Sequence, residues 1–276
     1  MKKISTLREL QQVSIYIYRD LMKFCEQNDI KVYLHGGSLI GAIRHEGFIP
    51  WDDDIDVCMS RPDYEKLLTI SNGGKISSKC TVVDPESNSD FNGYIPVVVY
   101  NDSKLVSGQY RHPEDLKISV SIFIYDGISE NKLIQKLYYM HMYALRAEHA
   151  LCRADFNHVN TKAAKIFGPF LQRFYSDRGI NKYKNKVLRL QKKFRYEKSK
   201  MVSTNADYKA SVEVFPKADF ESFVNIQFEG INSYTYSYYD LHLKKYYGNY
   251  MQLPPVEEQT AKHDFDAWIE DSFDFG

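Results

Sequence analysis

The chain opens with a periodic apolar pattern that predicts an amphipathic helix. Leucine, valine, isoleucine and phenylalanine recur every three or four residues between positions 7 and 24, and this spacing places them on one face of a helix. Thr6 and Glu9 precede the run as a capping box, in which each side chain binds a backbone N–H group of the first turn. We therefore expect the first helix to begin after Thr6 and to end near residues 28–29.

The next pattern switches between strand and helix character. Residues 31–35 have the apolar and aromatic composition of a strand and stop at two glycines, which are typical turn residues. Residues 38–45 carry spaced apolar positions and predict a short helix. Residues 54–59 alternate polar and apolar side chains, as in a strand with one buried face. The predicted order is helix, strand, glycine turn, helix, strand.

Later segments extend a mixed pattern. A helix start at Ser60 and apolar strands at 97–100 and 118–125 follow in order. From about residue 133 the pattern becomes helical, and residues 180–194 keep a three-four spacing of apolar positions. The fold class predicted is α/β (α+β), with a mixed sheet flanked by helices and a helical C-terminal portion.

Nothing in the sequence marks a domain boundary. We find no linker rich in proline, glycine or serine and no internal repeat. We expect residues 1–276 to form a single domain, in which residues 1–130 make the sheet-containing core and residues 131–276 a mainly helical portion packed on it.

Composition narrows the class of protein. Thirty-six Lys and Arg balance thirty-six Asp and Glu, so no global field draws the chain towards nucleic acid. The four cysteines show no metal-ligand spacing, which suits a reducing compartment. Arg8, Glu9 and Arg19 interrupt the apolar run that a signal peptide would need. We expect a cytoplasmic protein that does not bind nucleic acid.

Two neighbouring features suit phosphoryl transfer. The Gly-Gly-Ser turn at 36–38 enters a helix, so its free N–H groups point at an anion, and the Ser38 hydroxyl adds a donor. Asp54 and Asp56 project from one face of the next strand and offer oxygens to one or two divalent cations. Either feature alone is commonly a plain turn or a solvated loop. Together they favour function, because burying both carboxylates beside apolar neighbours is costly without a counter-cation.

Residues 37–57 read Gly-Ser-Leu-Ile-Gly-Ala-Ile-Arg-His-Glu-Gly-Phe-Ile-Pro-Trp-Asp-Asp-Asp-Ile-Asp-Val. This string resembles, nearly residue for residue, the signature of the LicD family, a branch of the nucleotidyltransferase superfamily that includes the fukutin-related proteins. The likeness resumes at 228–230, which contains the candidate Glu229, and at 239–255. It therefore frames almost the whole chain.

The resemblance implies a nucleotidyltransferase-like fold and a phosphotransferase. The expected reaction moves phosphocholine or an alditol phosphate from a CDP-linked donor to a cell-surface glycan or a lipid-linked glycan acceptor. By the same resemblance, Gly37 and Ser38 would contact the donor phosphate and Arg44 would steady a phosphate. Asp54 and Asp56 would ligate Mg²⁺ or Mn²⁺ and form the catalytic centre.

Neighbouring residues are secondary candidates. Asp52 shares the strand face of Asp54 if the strand extends that far, whereas Asp53 should point away. Trp51 would be a stacking platform or a buried wedge. His45 would be a ligand or a cation that caps the end of its helix.

One position departs from the family pattern. The family usually carries an Asp-Ile-Phe-Pro-Leu-Asp strand, and here residues 121–126 read Ser-Ile-Phe-Ile-Tyr-Asp. Ser121 stands where the fold usually has a metal ligand or base, and a serine serves neither purpose well at neutral pH. Asp126 is retained, but its odd offset along the strand should place it on the opposite face.

Two other functions stay open. A nucleotidyltransferase that places the nucleotide itself on a small molecule shares the Gly-Ser and Asp-x-Asp features. A non-catalytic nucleotide-binding relative is suggested by Ser121. The basic stretch at 178–200 is either a solvated face or a contact with anionic lipid headgroups, and the second explanation predicts peripheral contact with the inner membrane surface.

Overall fold

The computed structural model describes residues 1–112, 114–156, 162–204, 212–261 and 265–275. In chain order the helices are α1 (Leu7–Gln27), α2 (Gly36–His45), α3 (Arg61–Ile70), α4 (Lys132–Arg153), α5 (Lys162–Gln172), α6 (Ile180–Gln191), α7 (Lys217–Glu221) and α8 (Tyr239–Tyr247). The strands are β1 (Lys2–Lys3), β2 (Tyr33–Leu34), β3 (Ile55–Ser60), β4 (Cys80–Val83), β5 (Val97–Tyr100), β6 (Ser103–Ser107), β7 (Ser119–Ile128), β8 (Met201–Thr204), β9 (Phe215–Pro216), β10 (Phe223–Phe228), β11 (Ile231–Tyr236) and β12 (Phe265–Ile269).

The first helix forms as its local sequence predicts. The Thr6 hydroxyl accepts a hydrogen bond from the Glu9 backbone N–H, and the Glu9 carboxylate accepts one from the Thr6 N–H at 3.0 Å. Val13, Ile17 and Leu21 are fully buried, so the periodic apolar side of α1 is the side that packs on the core.

A seven-stranded mixed sheet lies at the centre of the fold. Its order is β2-β3-β7-β5-β4, and β8 and β9 continue it beside the second half of β7. β3 and β7 are parallel, whereas the other pairs are antiparallel. The register of the parallel pair places Asp56 beside Ser121.

The two faces of this sheet carry different residues, because alternate side chains point to opposite sides. One face holds Ile55, Val57, Val120 and Ile122, all fully buried, and α1 and α3 pack on it. The other face holds Asp56 and Ser121, which are only half-buried. Asp56 and Ser121 therefore share one side of the sheet.

Two smaller sheets flank this one. β12 pairs with β1 and with β6. The β10–β11 hairpin turns through Glu229 and Gly230, whose φ values of 51° and 72° suit a two-residue turn with both central residues in the left-handed region. The hairpin packs against β2.

The second half of the chain is helical at first and mixed later. Helices α4 and α6 pack together around a separate apolar cluster that includes Tyr139, Met142 and Val187. After Lys200 the chain adds strands, of which β8 joins the central sheet.

The predicted fold class, a mixed sheet flanked by helices, is confirmed. The helical pattern continues only to about residue 191, and the strands beyond it were not predicted. The division into a single domain stays a prediction. Among the described residues no helix has both the length and the apolar content needed to cross a bilayer.

Asp126 lies on the buried face of β7, as its offset from Ser121 predicts. The Arg61 guanidinium donates to both carboxylate oxygens, from Nε at 2.8 Å and from Nη2 at 2.7 Å. Both side chains are buried. This pair joins α3 to the sheet and places Asp126 outside the candidate site.

We expect Asp126→Asn to lower the free energy of unfolding by about 3–5 kcal/mol, because it leaves the Arg61 charge buried without a partner. Urea denaturation measures the change. The matched control is Asp266→Asn, which breaks an exposed pair with Lys3 and should cost less than about 1 kcal/mol. Equal effects of the two variants would contradict a buried pair.

Candidate active site

The entry to α2 brings the glycine turn against β3. Gly36 has φ +54°, a left-handed conformation that favours glycine. A Cβ atom there would lie 3.6 Å from both Asp56 Oδ2 and Tyr247 Oη. The His35 backbone N–H donates to the Asp56 carbonyl at 3.0 Å. The start of α2 is therefore fixed beside the Asp56 carboxylate.

Ser38 is buried in the same junction. Its Oγ accepts a hydrogen bond from the Asp56 backbone N–H at 2.9 Å, so the first turn of α2 holds the beginning of β3 in place. This contact gives Ser38 a structural role that the sequence did not predict. Contact of Gly37 and Ser38 with a donor phosphate stays a prediction.

Asp52 lies against the first turn of α2. A Cβ atom on Gly37 would come within 2.7 Å of Asp52 Oδ2, so only glycine leaves space for the carboxylate at its present place. The N-terminal end of a helix favours negative charge, because its first N–H groups have no partner within the helix. Gln11 Nε2 donates to the Asp52 carbonyl at 2.8 Å and attaches this loop to α1.

Three adjacent carboxylates converge in the loop before β3. Each of Asp52, Asp53 and Asp54 offers an oxygen within 4.8 Å of the other two. Asp53 is buried and its neighbours are half-buried. The expectation that Asp53 points away is wrong, because Asp53 and Asp54 precede the first residue of β3 and strict strand alternation does not apply to them. Clustered carboxylates repel one another, and hard cations such as Mg²⁺ prefer oxygen ligands.

Asp56 lies outside that group of three and inside the strand. Its position in β3 is directly beside Ser121 of β7, on the half-buried face of the sheet. The structure thus places the substituted third acidic position next to the second aspartate of the Asp-x-Asp pair.

Arg44 contacts the chain rather than an open anion pocket. Its Nη1 donates to the Tyr250 carbonyl at 2.6 Å and to the Gln252 carbonyl at 3.3 Å. His45 lies beside it, and burial together with the Arg44 charge lowers the pKa of His45 below its usual value. A neutral His45 is a poor anion ligand. The Trp51 ring stands edge-on to His45, with 6.5 Å between ring centroids, and packs against the core as a wedge.

Glu229 braces the loop that leads to the aspartates. Its carboxylate accepts hydrogen bonds from the Phe48 backbone N–H at 3.0 Å and from Arg8 Nη2 at 2.9 Å. Burial opposes its ionisation, but these two donors prevail and lower the pKa of Glu229. The contacts shown are those of a support for the loop.

A buried polar cluster behind His35 was missed by sequence reasoning. The Glu213 carboxylate lies 2.7 Å from His242 Nε2 and accepts a hydrogen bond from the Tyr125 hydroxyl at 2.6 Å. His242 also contacts the Tyr236 hydroxyl, and its ring stacks on that of His35 with 6.0 Å between centroids. The signal available was weak, because only His242 falls within a stretch of family likeness.

This cluster favours charge on its acid. Burial opposes ionisation of Glu213, but the hydrogen bond and charge of His242 outweigh it and lower the pKa of Glu213. Tyr125 lies four residues beyond Ser121 on the same face of β7. Because the His242 ring stacks on the His35 ring and His35 directly precedes α2, the cluster supports the entry to α2.

Comparisons with known proteins find similar sequences. A family profile described as "LicD/FKTN/FKRP, nucleotidyltransferase domain" matches residues 29–163. The lipopolysaccharide cholinephosphotransferase LicD of Haemophilus influenzae is 30% identical over 277 residues, which span 98% of this chain and 100% of that protein. The ribitol 5-phosphate transferase FKRP of Homo sapiens is 32% identical over 88 residues, which span 31% of this chain and 17% of that protein.

The packing of α2 yields a stability prediction. A Cβ atom on Gly41 would collide with the Gly47 carbonyl oxygen and lie 3.1 Å from the Ile49 nitrogen. These are backbone atoms that cannot yield freely, so Gly41→Ala should lower the free energy of unfolding by about 1–3 kcal/mol. Thermal or urea unfolding measures this change.

Gly37→Ala is the matched control. Its Cβ would meet only the end of the Asp52 side chain, which can rotate away, and alanine gains up to about 1 kcal/mol over glycine in a helix. We expect near-native stability. A Gly41→Ala protein as stable as Gly37→Ala would contradict the close approach of the loop to α2.

Proposed function

Because this chain belongs to the LicD family, we propose that it transfers phosphocholine from a CDP-linked donor to a hydroxyl group of a cell-surface glycan or a lipid-linked glycan precursor. It is a phosphotransferase of that family, which includes choline phosphate and ribitol phosphate transferases. The likeness to the cholinephosphotransferase of Haemophilus influenzae runs the length of both proteins, and this favours phosphocholine over ribitol phosphate.

The observation that carries the proposal is the grouping of carboxylates at the N-terminal end of α2. Asp52, Asp53 and Asp54 offer oxygens close together, and Asp56 follows beside Gly36. An all-carboxylate donor set suits Mg²⁺ or Mn²⁺ rather than a softer metal. On the family resemblance of the Asp-x-Asp pair we assign the metal to Asp54 and Asp56, and the grouping of Asp52 with Asp54 adds Asp52 as a further ligand.

A divalent cation held there would offset the negative charge of the donor diphosphate in the transition state. The oxygen of the acceptor hydroxyl forms a new bond to the phosphorus of the choline phosphate and gives its proton to solvent, the bond from that phosphorus to the bridging oxygen breaks, and CMP leaves. The free N–H groups of the first turn of α2 orient the diphosphate. Ser38 holds Asp56 at the edge of that turn through its hydrogen bond to the Asp56 N–H.

Ser121 supports a second candidate, a non-catalytic nucleotide-binding relative. It lies beside Asp56 at the position where a third carboxylate would complete the site. A protein of this kind would bind the CDP-linked donor without releasing CMP. A nucleotidyltransferase would instead transfer the nucleotide and release phosphocholine from CDP-choline, or diphosphate from CTP, so product identification separates the three functions.

Removing a proposed metal ligand tests the assignment directly. Asp54→Asn and Asp56→Asn should each abolish Mg²⁺-dependent binding of CDP-choline and release of CMP, since they remove charge and keep volume. Stability without metal should be unchanged or higher, because clustered like charges repel. Calorimetric titration of CDP-choline with and without Mg²⁺ measures binding, and CMP release measures turnover.

Asp115→Asn serves as the control, because Asp115 is exposed and lies outside this group of carboxylates. It should bind and turn over as the unchanged protein does. If both site variants retain Mg²⁺-dependent binding, the metal belongs elsewhere.

Restoring the third acid tests the register of β3 and β7. Ser121→Asp should tighten Mg²⁺ binding and raise the rate of CMP release, since it adds a hard oxygen ligand beside Asp56. With a chelator present it should lower the melting temperature, because the new charge adds to the repulsion. With excess Mg²⁺ the substitution should raise the melting temperature, so the shifts in the two conditions have opposite signs.

Ser107→Asp is the control, because Ser107 lies on β6 in another sheet. Its effect on melting temperature should be the same with chelator and with excess Mg²⁺. If Ser121→Asp shifts the melting temperature equally in both conditions, Ser121 does not lie near the metal.

A further inference from the structure

Helix α5 presents its apolar side to solvent. Five large side chains at helical spacing are between 43% and 75% exposed: Ile166, Phe167, Phe170 and Leu171 of α5, and Phe174 in the turn that follows it. Positions spaced by one, four, five and eight residues lie on one stripe of a helix. We call this stripe the α5 apolar face. Soluble monomers rarely leave so contiguous a group of large apolar side chains in water.

The opposite side of α5 holds it to the protein. Gly168 is buried, and a Cβ atom there would collide with the Phe156 ring. Gln172 Nε2 donates to the Ala154 carbonyl at 2.9 Å. Contacts through small and polar residues thus fix α5 to the end of α4 with its apolar face outward.

Positive charge surrounds the α5 apolar face. Residues 162–200 contain thirteen Lys and Arg but two acidic residues, although the whole chain is neutral. Lys165 and Arg173 are exposed on and just after α5. The Tyr175 ring contacts Tyr183 of α6 at 5.9 Å, which brings the basic helix α6 alongside.

Asp177, at the start of the segment that leads into α6, does not offset this charge. Asp177 already lies 2.8 Å from His112 Nε2 and 3.7 Å from Arg111 Nη1. Lys182 and Lys186 of α6 are exposed, and both lie over the Tyr183 ring. Glu148 lies near Tyr175 and Tyr183, but the basic side chains around the face outnumber the acidic ones.

We propose that the α5 apolar face docks into the interfacial region of an anionic lipid bilayer. An amphipathic helix with aromatic and aliphatic side chains on one side and basic residues beside them is suited to lie in the plane of such a surface. The Phe and Leu side chains enter the acyl boundary, and Lys165, Arg173, Lys182 and Lys186 contact the lipid phosphates.

Charge favours a bilayer over a second copy of the chain as the occupant. In a two-fold symmetric interface each patch meets its own counterpart, so the cations around one face would approach the same cations of its partner. An anionic surface instead meets every cation with opposite charge. This inference stands independently of the transferred group and of the metal.

Vesicle flotation of the full chain tests the proposal. About tenfold more protein should float with vesicles of phosphatidylcholine and phosphatidylglycerol than with phosphatidylcholine alone, since each basic residue near an anionic surface adds a several-fold gain. Raising the salt from roughly 0.1 M to about 1 M should weaken the binding, because exposed charges are screened. Equal binding to both vesicle types, or none to either, overturns it.

Variants locate the surface. Replacing Phe167, Phe170 and Phe174 together by serine should lower binding to anionic vesicles by at least about tenfold, and Arg173→Gln with Lys182→Gln and Lys186→Gln should do the same. The matched control, Val106→Ser with Val256→Ser, removes equally exposed apolar side chains elsewhere and should bind as the unchanged protein does. Unchanged binding by the phenylalanine variant overturns the proposal.

A second measurement does not depend on a triple variant. Phe174→Trp places a reporter on the α5 apolar face. Its emission, taken as the difference from the unchanged protein with its two native tryptophans, should shift to the blue and be quenched by brominated acyl chains on addition of anionic vesicles. An unshifted emission overturns insertion. Sedimentation velocity tests whether a second copy of the chain occupies the face instead. If the protein does not float and forms a dimer that the phenylalanine variant abolishes, the face serves self-association and the proposal is overturned.

Discussion

The parallel pairing of β3 with β7 is the constraint on which the candidate site depends. It sets Asp56 beside Ser121, and the same strand β3 begins where Ser38 and His35 of the α2 entry attach to the Asp56 backbone. The N–H groups of the first turn of α2 and the carboxylates therefore meet at one edge, because one strand contacts both. A change in that register would move alternate side chains to the other face and separate the two halves of the site.

Local sequence predicted the elements that local contacts determine. The Thr6 capping box, the N-cap at Ser60 and the strand at Val97–Tyr100 occur where expected, because each rests on neighbours in the chain. The glycine turn and the Asp-x-Asp strand were found for the same reason, strengthened by a long family signature. The position of Asp126 followed from strand periodicity alone.

Residues whose partners are far away in sequence were not predicted. The sequence predicts a phosphate contact for Arg44 but not its hydrogen bonds to the carbonyls of residues 250 and 252, which lie near the other end of the chain. Asp53 escapes strand alternation because the strand starts after it. No local sequence pattern marks the Glu213–His242 pair, because the two residues meet only when the hairpin and α8 pack on the sheet. The periodicity of apolar residues does not predict contacts between residues that are far apart in sequence.

Strand β7 has a consequence for how the molecule is assembled. One of its sides pairs with β3, whereas the other pairs first with β5 and then with β8, so segments from both halves of the chain close on a single strand. Its amide hydrogens should be among the slowest to exchange with solvent, as the last to open in native-state fluctuations. Its pairing with β3 is also intrinsically slow to form, because a parallel pair joined through a long intervening segment must first close a long loop. The helices would then form before the candidate site is complete. In a chain still being synthesised, the glycine turn would lack β7, the strand that completes the site.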